Sequence, residues 1–374
     1  MSLATNLRHE LAATIGSQSW QAAVEVVPRE LFLGDAVYRH EPEHGWVPVH
    51  RSDMSRDDWL ALAYTDETWV TQIDGVMAED ATDPVALLRP TSSSTLPGLV
   101  VRMLEAAEIR EGDKVLEIGT GTGYSTALMC QRLGNDAVTS IEYDPIVAGR
   151  AREAITAAGY APTLVEGDGL YGYAENAEYD RLIATCSVRT IPQAWPQQVR
   201  AGGTITTPMS GWMGETAFAH LTVAGDGTAR GRFLEDDLYF MTARSHLPPP
   251  RPPLVSGVGD ARKSRIDPST LQGGTALWVA QLAVPQAQVS WGGDATFVVD
   301  VGTGSRAETR QDLAGGWTVR QHGRVKLWDE VENAIETWQD AGQPHQSGFG
   351  LTVTRERQWV WLGEPGGPSW DLPA

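Results

Sequence analysis

Seven residues constrain this chain more than any others. Glu117-Ile118-Gly119-Thr120-Gly121-Thr122-Gly123 lies between a buried-strand pattern, Lys114 to Ile118, and a helical one, Ser125 to Leu133. Glycines at such a junction permit a tight turn and let the backbone approach a ligand closely. The pattern repeats downstream. Residues 137–141 read as a strand and 145–158 as a helix with Pro145 in its first turn; 163–165 and 181–184 read as further strands. Strand, turn and helix in alternation predict a doubly wound α/β sheet of parallel strands, with ligands at the carboxyl ends of the strands.

Glycine at a strand-to-helix turn is common for geometric reasons alone, so its surroundings decide what the loop binds. Glu142 ends the next strand, 25 residues after Glu117 (142 − 117). An acid there can take two ribose hydroxyls. Gly167-Asp168-Gly169 ends the third strand, where a carboxylate can accept from an adenine amino group. A dinucleotide loop has the spacing G-x-G-x-x-G and faces a pyrophosphate. Here the spacing is G-x-G-x-G after an acid, which would repel pyrophosphate and suits the ammonium of a methionine moiety. The reading is S-adenosyl-L-methionine, with S-adenosylhomocysteine as product. This set of residues resembles the class I S-adenosylmethionine-dependent methyltransferases, a Rossmann-like fold.

A narrower resemblance rests on more segments. Thr95-Leu96-Pro97-Gly98-Leu99-Val100-Val101-Arg102-Met103-Leu104, residues 115–127, Gly167-Asp168-Gly169, Tyr179-Asp180, Ile191-Pro192, Gly202-Gly203 and the early Val27-Pro28-Arg29-Glu30-Leu31-Phe32 together resemble the protein-L-isoaspartate O-methyltransferase family over residues 25–245. The resemblance implies that Glu117, Gly119, Gly121 and Gly123 line the methionine part, with Thr120 and Tyr124 beside them. It implies that Glu142, next to Tyr143, holds the ribose, and that Gly167, Asp168 and Gly169 hold the adenine side. Thr95 stands where the family has a Ser two residues before a Pro, and is expected to orient the reacting carboxylate. Ser93, Ser94, Ser187 and Arg189 are expected to bind substrate. Ser93 and Ser94 read equally well as turn and cap residues, and Arg189 as a surface arginine.

The chain departs from the family at Thr95 and at Cys186-Ser187-Val188-Arg189. It also continues past Pro253, unlike the small repair enzymes. Longer members resemble methyltransferases associated with ribosomal-peptide (lanthipeptide or graspetide) biosynthesis. These esterify an aspartate in a modified precursor peptide, and the ester goes on to succinimide and isoaspartate. That makes peptide tailoring the leading expectation, with general isoaspartate repair as the alternative and a non-catalytic cofactor-binding scaffold behind both.

Composition narrows the partners. Of 374 residues, 29 are Lys or Arg and 48 Asp or Glu, a formal charge of -19. Such a chain should repel a phosphate backbone. Cys130 and Cys186 alone make no disulfide framework. Arg8, His9 and Glu10 interrupt any signal sequence, and no apolar run is long enough to span a membrane. A cytoplasmic monomer without nucleic-acid or membrane partners is expected. The run Pro248-Pro249-Pro250-Arg251-Pro252-Pro253 reads as a spacer. It divides a 1–90 segment packing on the methyltransferase fold and a 91–247 methyltransferase domain from a 254–374 substrate-recognition domain of α+β type.

Strands are expected at 69–73, 277–284 and 295–301, helices at 56–64 and 325–341, and a closing hairpin at 348–354 and 358–362. Most tryptophans after the spacer should be core. His40-Glu41-Pro42-Glu43-His44 matches H-E-x-x-H in letters, but Pro42 forbids the helix that a zinc site needs, and no metal is expected. Arg262 before Lys263-Ser264 stands where a P-loop needs glycine. Cys186 has no His near it in sequence and reads as a small buried hydrophobe rather than a nucleophile.

Overall fold

The computed structural model describes residues 2–85, 89–236, 238–292 and 294–373. The chain divides into two compact units, Met1–Cys186 with Pro192–Thr206, and Ser187–Ile191 with Thr207–Ala374.

The first unit opens with helices α1 (Leu3–Ile15) and α2 (Gln21–Val26) and a 3-10 turn, Arg29–Phe32. Strands β1 (Ala36–Glu41) and β2 (Gly45–His50) form a hairpin, followed by α3 (Arg56–Ala63), β3 (Trp69–Ile73), β4 (Val76–Met77) and β5 (Pro90–Ser94). These strands make one antiparallel sheet in the order β2-β1-β3-β4, with β5 also on β3. The expected helix and strand at 56–64 and 69–73 are α3 and β3. The H-E-x-x-H segment lies on the β1–β2 hairpin, where His40 packs edge-on against Trp46. Among the described residues no three potential metal ligands cluster, and no helix is long and apolar enough to cross a membrane.

Next come α4 (Pro97–Ala106), β6 (Val115–Ile118), α5 (Tyr124–Leu133), β7 (Val138–Glu142), α6 (Pro145–Ala157), β8 (Thr163–Glu166), β9 (Tyr179–Ala184), α7 (Ala194–Gln198) and β10 (Val199–Ser210). Strands β9, β6, β7 and β8 are neighbours in that order, all parallel, and residues 199–206 of β10 run parallel to β9. This is the doubly wound sheet expected from the sequence. All four residues of β6 are buried, as a strand covered on both faces requires. Helix α6 starts where its cap dictates. Asp144 Oδ1 accepts from the amides of Ile146 and Val147 (3.0 and 3.2 Å), and Pro145 takes the first helical position of α6.

The second unit holds β11 (Thr216–Val223), β12 (Ala229–Phe233), β13 (Asp260–Lys263), α8 (Gly274–Ala283), β14 (Ala287–Gly292), β15 (Ala295–Asp300), β16 (Arg306–Gln311), β17 (Trp317–His322), α9 (Leu327–Asp340), β18 (Phe349–Val353), β19 (Gln358–Leu362) and β20 (Ser369–Asp371). One sheet runs β20-β19-β18-β12-β11 and the other β13-β17-β16-β15-β14. Helix α9 buries the face formed by Leu327, Val331, Ile335 and Trp338, as its periodicity predicts. Trp278, Trp328, Trp338 and Trp361 are core, and Trp291 is exposed.

Two expectations fail here. Residues 277–284 are not a strand but most of helix α8, whose residues from Ala276 to Leu282 are all buried. A segment buried on every side shows no period from which to read its conformation. The domain boundary also lies elsewhere. The 248–253 run has no regular structure, but β12 before it pairs with β18 after it, from Ala229↔Val353 to Arg232↔Gly350. Prolines mark a break in secondary structure, and this break falls inside a unit. Residues 207–247 therefore belong with the C-terminal part.

Candidate active site

The glycine loop joins β6 to α5. Gly119 and Gly123 have φ of +94° and +91°, which L side chains avoid. A Cβ on Gly119 would stand 2.8 Å from Thr185 Oγ1. The amides of Gly119 and Thr120 donate to the carbonyl of Ile141 (2.8 and 3.1 Å), lashing the loop to the end of β7.

Glu142, the last residue of β7, ties three segments together. Its Oε2 accepts from the Gly121 amide (2.8 Å), its Oε1 from the Asp144 amide (3.0 Å), and its carbonyl from the Gly167 amide (2.9 Å). Each carboxylate oxygen has a second lone pair for a further donor. Burial pushes this carboxyl above the usual glutamate range. Asp168 caps the short turn that follows β8, its Oδ1 accepting from the Leu170 amide (3.0 Å), and Trp195 Nε1 donates to the Gly169 carbonyl (2.9 Å). Gly119, Gly121, Gly123, Glu142 and Gly167-Asp168-Gly169 thus gather at the carboxyl ends of β6, β7 and β8. These groups suit a nucleoside carrying a ribose diol and an adenine.

Three residues expected to line the cofactor face inward instead. Glu117 is fully buried. Its carboxylate accepts from the hydroxyls of Ser125, Thr126 and Ser140, and burial raises its pKa against the lowering effect of those bonds. These three donors anchor the carboxylate in the interior and account for it without a ligand. The physical reason is the register of β6: Glu117 pairs beside Ser140, so its side chain meets that hydroxyl and the first turn of α5. Thr120 is likewise turned in, its Oγ1 2.7 Å from Ser140 Oγ. Tyr124 is buried edge-on against Phe32 (5.8 Å between centroids). Tyr143 is exposed.

The acceptor side begins at the end of β5. Ser93 pairs with Val70 and Ser94 with Trp69. The Ser93 carbonyl lies 3.8 Å from the place a Cβ on Gly121 would occupy, so this strand end and the glycine loop adjoin. Ser94 is 1% exposed and its Oγ has no partner among the described residues. Thr95 is half-buried. The chain beyond it is held by Thr68 Oγ1, which accepts from the Leu96 amide (3.0 Å), and by Asp66 Oδ1, which accepts from the Gly98 amide (2.7 Å). A cavity of about 260 Å³ opens alongside, lined by Phe32, Leu33, Ser92, Gly121, Thr122 and Val147 among others.

Ser187 and Arg189 belong to the second unit and are engaged within it. Ser187 is fully buried and donates to the Phe240 carbonyl (2.8 Å). Arg189 stacks on Trp212 (3.5 Å to the ring centroid) and donates to the Pro285 carbonyl (2.7 Å). Burial lowers its pKa to about 10. These contacts account for both side chains without a substrate. Cys186, in the first unit, points its Sγ toward the Ile118 carbonyl, and burial pushes its pKa up to about 12.

Sequence reasoning gave no role to Arg29, Asp66 or Thr68. Their bonds to Ser94, Gly98 and Leu96 span 65, 32 and 28 residues, and no local spacing encodes them.

Known proteins resemble this chain. The family model described as Protein-L-isoaspartate(D-aspartate) O-methyltransferase matches residues 49–243, 195 of 374 residues. A protein-L-isoaspartate O-methyltransferase of Ignicoccus hospitalis is 44% identical over 115 residues, 30% of this chain and 54% of that protein. Protein-L-isoaspartate O-methyltransferase 2 of Archaeoglobus fulgidus is 40% identical over 190 residues, 50% of this chain and 75% of that protein. The matched regions thus span about half to three quarters of these relatives. A solved structure named protein-L-isoaspartate O-methyltransferase aligns with 96% of this chain and 100% of its own, with a TM-score of 0.56 and 20% identity. The fold is the class I S-adenosylmethionine-dependent methyltransferase fold, and the solved relative's alignment extends over the C-terminal region as well.

Proposed function

Because the chain belongs to the protein-L-isoaspartate(D-aspartate) O-methyltransferase family, we propose that it is a protein carboxyl O-methyltransferase acting on isoaspartyl or D-aspartyl residues. The observation that carries the proposal is the family match across residues 49–243, which takes in Thr95, the glycine loop, Glu142 and Asp168.

When bound, S-adenosyl-L-methionine supplies a methyl group on a positively charged sulfur. Glu142 would hold the ribose hydroxyls, Asp168 the adenine amino group, and the backbone of Gly119 to Gly123 the methionine part. The acceptor carboxylate needs no general base, since a carboxyl with a reference pKa of about 4 is ionised at neutral pH. The protein's work is therefore alignment and exclusion of water. Thr95 donates its hydroxyl to the carboxylate and fixes one oxygen toward the donor. Its extra methyl, compared with Ser, narrows the pocket and stiffens the rotamer. The methyl ester is an activated acyl group. The next backbone nitrogen displaces methanol and closes a succinimide, which water opens to aspartate or isoaspartate.

Tailoring of a modified precursor peptide is the finer reading, and the C-terminal region no longer favours it. That region's fold also occurs in the solved isoaspartate methyltransferase, so its presence does not separate tailoring from repair. The test is methyl transfer from labelled donor to three acceptors: a linear isoaspartyl peptide, its aspartyl counterpart and a cyclised precursor peptide. The proposal expects label on the isoaspartyl peptide. Label on the cyclised peptide alone would overturn it in favour of tailoring, and label on none would overturn both.

A further inference from the structure

Arg29 is fully buried, although arginine is among the residues least often found inside. Among the described residues its guanidinium meets no carboxylate within hydrogen-bond distance. It donates to five carbonyls instead: Ala63 (2.9 Å), Thr65 (2.6 Å), Glu67 (2.7 Å), Ser94 (3.4 Å) and Thr95 (3.4 Å). Three belong to the end of α3 and its connection to β3, and two to the end of β5 and the turn that carries the acceptor hydroxyl. One planar, multi-donor group thus clamps two segments that also meet through the Leu96 amide on Thr68 Oγ1 and the Gly98 amide on Asp66 Oδ1. Burial lowers its pKa to about 10, so the side chain keeps its charge across the working range of an enzyme.

The carbonyls fix more than position. In a trans peptide the C=O and the following N–H point in opposite directions. Turning the Ser94 and Thr95 carbonyls toward the guanidinium turns the Thr95 and Leu96 amides away from it. The Leu96 amide accordingly reaches Thr68 Oγ1 (3.0 Å). The Thr95 amide lies on the same side of the turn, next to a hydroxyl that would orient the substrate. The Arg29–Phe32 turn also contributes Glu30, Leu31 and Phe32 to the cavity that Gly121 and Thr122 line.

We propose that Arg29 is a positioning residue for methyl transfer, acting through the backbone of Ser94 and Thr95 to hold the Thr95 hydroxyl at the glycine loop. This rests on the proposed function for its kinetic consequence, but not for its structural one. A misplacement of about 1 Å can cost about a hundredfold in rate, so the effect should appear in kcat.

The test uses the full-length protein and the variants Arg29→Lys, Thr95→Val and their double. Lysine keeps the charge and loses the fork. With an isoaspartyl peptide, Arg29→Lys should lower kcat about tenfold to a hundredfold, change the peptide KM much less, and leave S-adenosylhomocysteine affinity intact. If Arg29 acts through Thr95, the double variant should be no slower than Thr95→Val alone. Losses that multiply, or a kcat within about twofold of the parent, would overturn the proposal. Hydrogen exchange at the Leu96 and Gly98 amides is read alongside. It should quicken in Arg29→Lys while β6 and β9 stay protected; unchanged exchange would also overturn it. A parent enzyme without activity sinks the functional reading, and the exchange result then judges Arg29 alone. If Arg29→Lys and Arg29→Gln both unfold, Arg29 supports the whole unit rather than the turn, and the proposal falls.

Discussion

Replacing Glu117 with Ala sets the buried-anchor role seen in the structure against the ligand-contact role read from the sequence. Glu117 is the common acceptor of three hydroxyls. Of these, Ser140 keeps Thr120 Oγ1 at 2.7 Å, and Thr126 lies 3.5 Å from Ser140 Oγ. Those two can re-pair, whereas Ser125 loses its partner. One stranded buried hydroxyl costs ~1–3 kcal/mol, and the vacated side-chain volume adds about 1 kcal/mol. Glu117→Ala should therefore lose about 2–4 kcal/mol of stability at mildly acid pH. Glu117→Gln should lose less, because it keeps the volume and hydroxyl rotors can turn to meet an amide.

The pH dependence has a definite sign. The folded carboxyl has its pKa raised by burial, so the native state holds the proton more tightly than the unfolded one. The stability from this group is fully present below the unfolded value of about 4.3 and is lost as pH rises through the folded pKa. The deficit of either variant should thus shrink as pH rises above about 4.3. The assay is guanidinium unfolding at several pH values, followed by circular dichroism and by tryptophan emission, because two units need not unfold in one step. Donor-site binding is measured by calorimetry with S-adenosylhomocysteine and should stay within about threefold. Unchanged stability with affinity for the donor lost would refute the reasoning. Glu117 would then reach the ammonium, as the spacing of the loop suggested.

Three other outcomes are expected. Glu142→Ala should weaken S-adenosylhomocysteine binding by about ten- to a hundredfold, the worth of a charge-assisted hydrogen bond of ~1.5–3 kcal/mol; wild-type affinity by calorimetry would place the ribose elsewhere. Thr95→Val should cut kcat about tenfold with donor affinity intact, and Thr95→Ser should restore it; single-turnover methylation reads both, and a fully active Val variant removes the orienting role. Cys130 and Cys186 are each pushed up to about 12, so both should resist a disulfide thiol reagent at about pH 8 until the protein is unfolded. A thiol in the folded protein reacting at the rate of free cysteine would contradict that.

The parallel sheet was legible because β6, β7 and β8 are short and each is closed by a glycine or an acid at a readable spacing. Glu142 and Asp168 stand out in the sequence because they sit at strand ends, and the order of strands puts strand ends together. Glu117 was read as a ligand contact because a sequence shows which residue stands beside a glycine loop, but not which way it faces. Helix α8 was misread because burial on all sides erases the period. Arg29 and Asp66 act on residues more than 30 positions away, and only the folded chain shows that. Ser187 and Arg189 follow a strand end in sequence, yet their contacts lie in the other unit. The region after Pro253 was read as grounds for peptide tailoring, and the solved relative that shares its fold removes that ground.

The path of the chain has a consequence for its making. Residues 187–191 leave the first unit for the second, and 192–206 return. Ile191 is then held by Gln358: its amide donates to Oε1 (2.8 Å) and its carbonyl accepts from Nε2 (2.6 Å), across 167 residues. At about 5–20 residues per second on a ribosome, that partner arrives roughly 8–30 s after Ile191 itself. Val188, Ser187 and Arg189 meet Pro208, Phe240 and Pro285 sooner, so of these four residues Ile191 waits longest for its partner. A chain stalled before Gln358 therefore lacks the two bonds that hold Ile191. A cut after Thr206 releases every residue of the first unit, but carries 187–191 along without the partners that hold them at Phe240, Pro285 and Gln358.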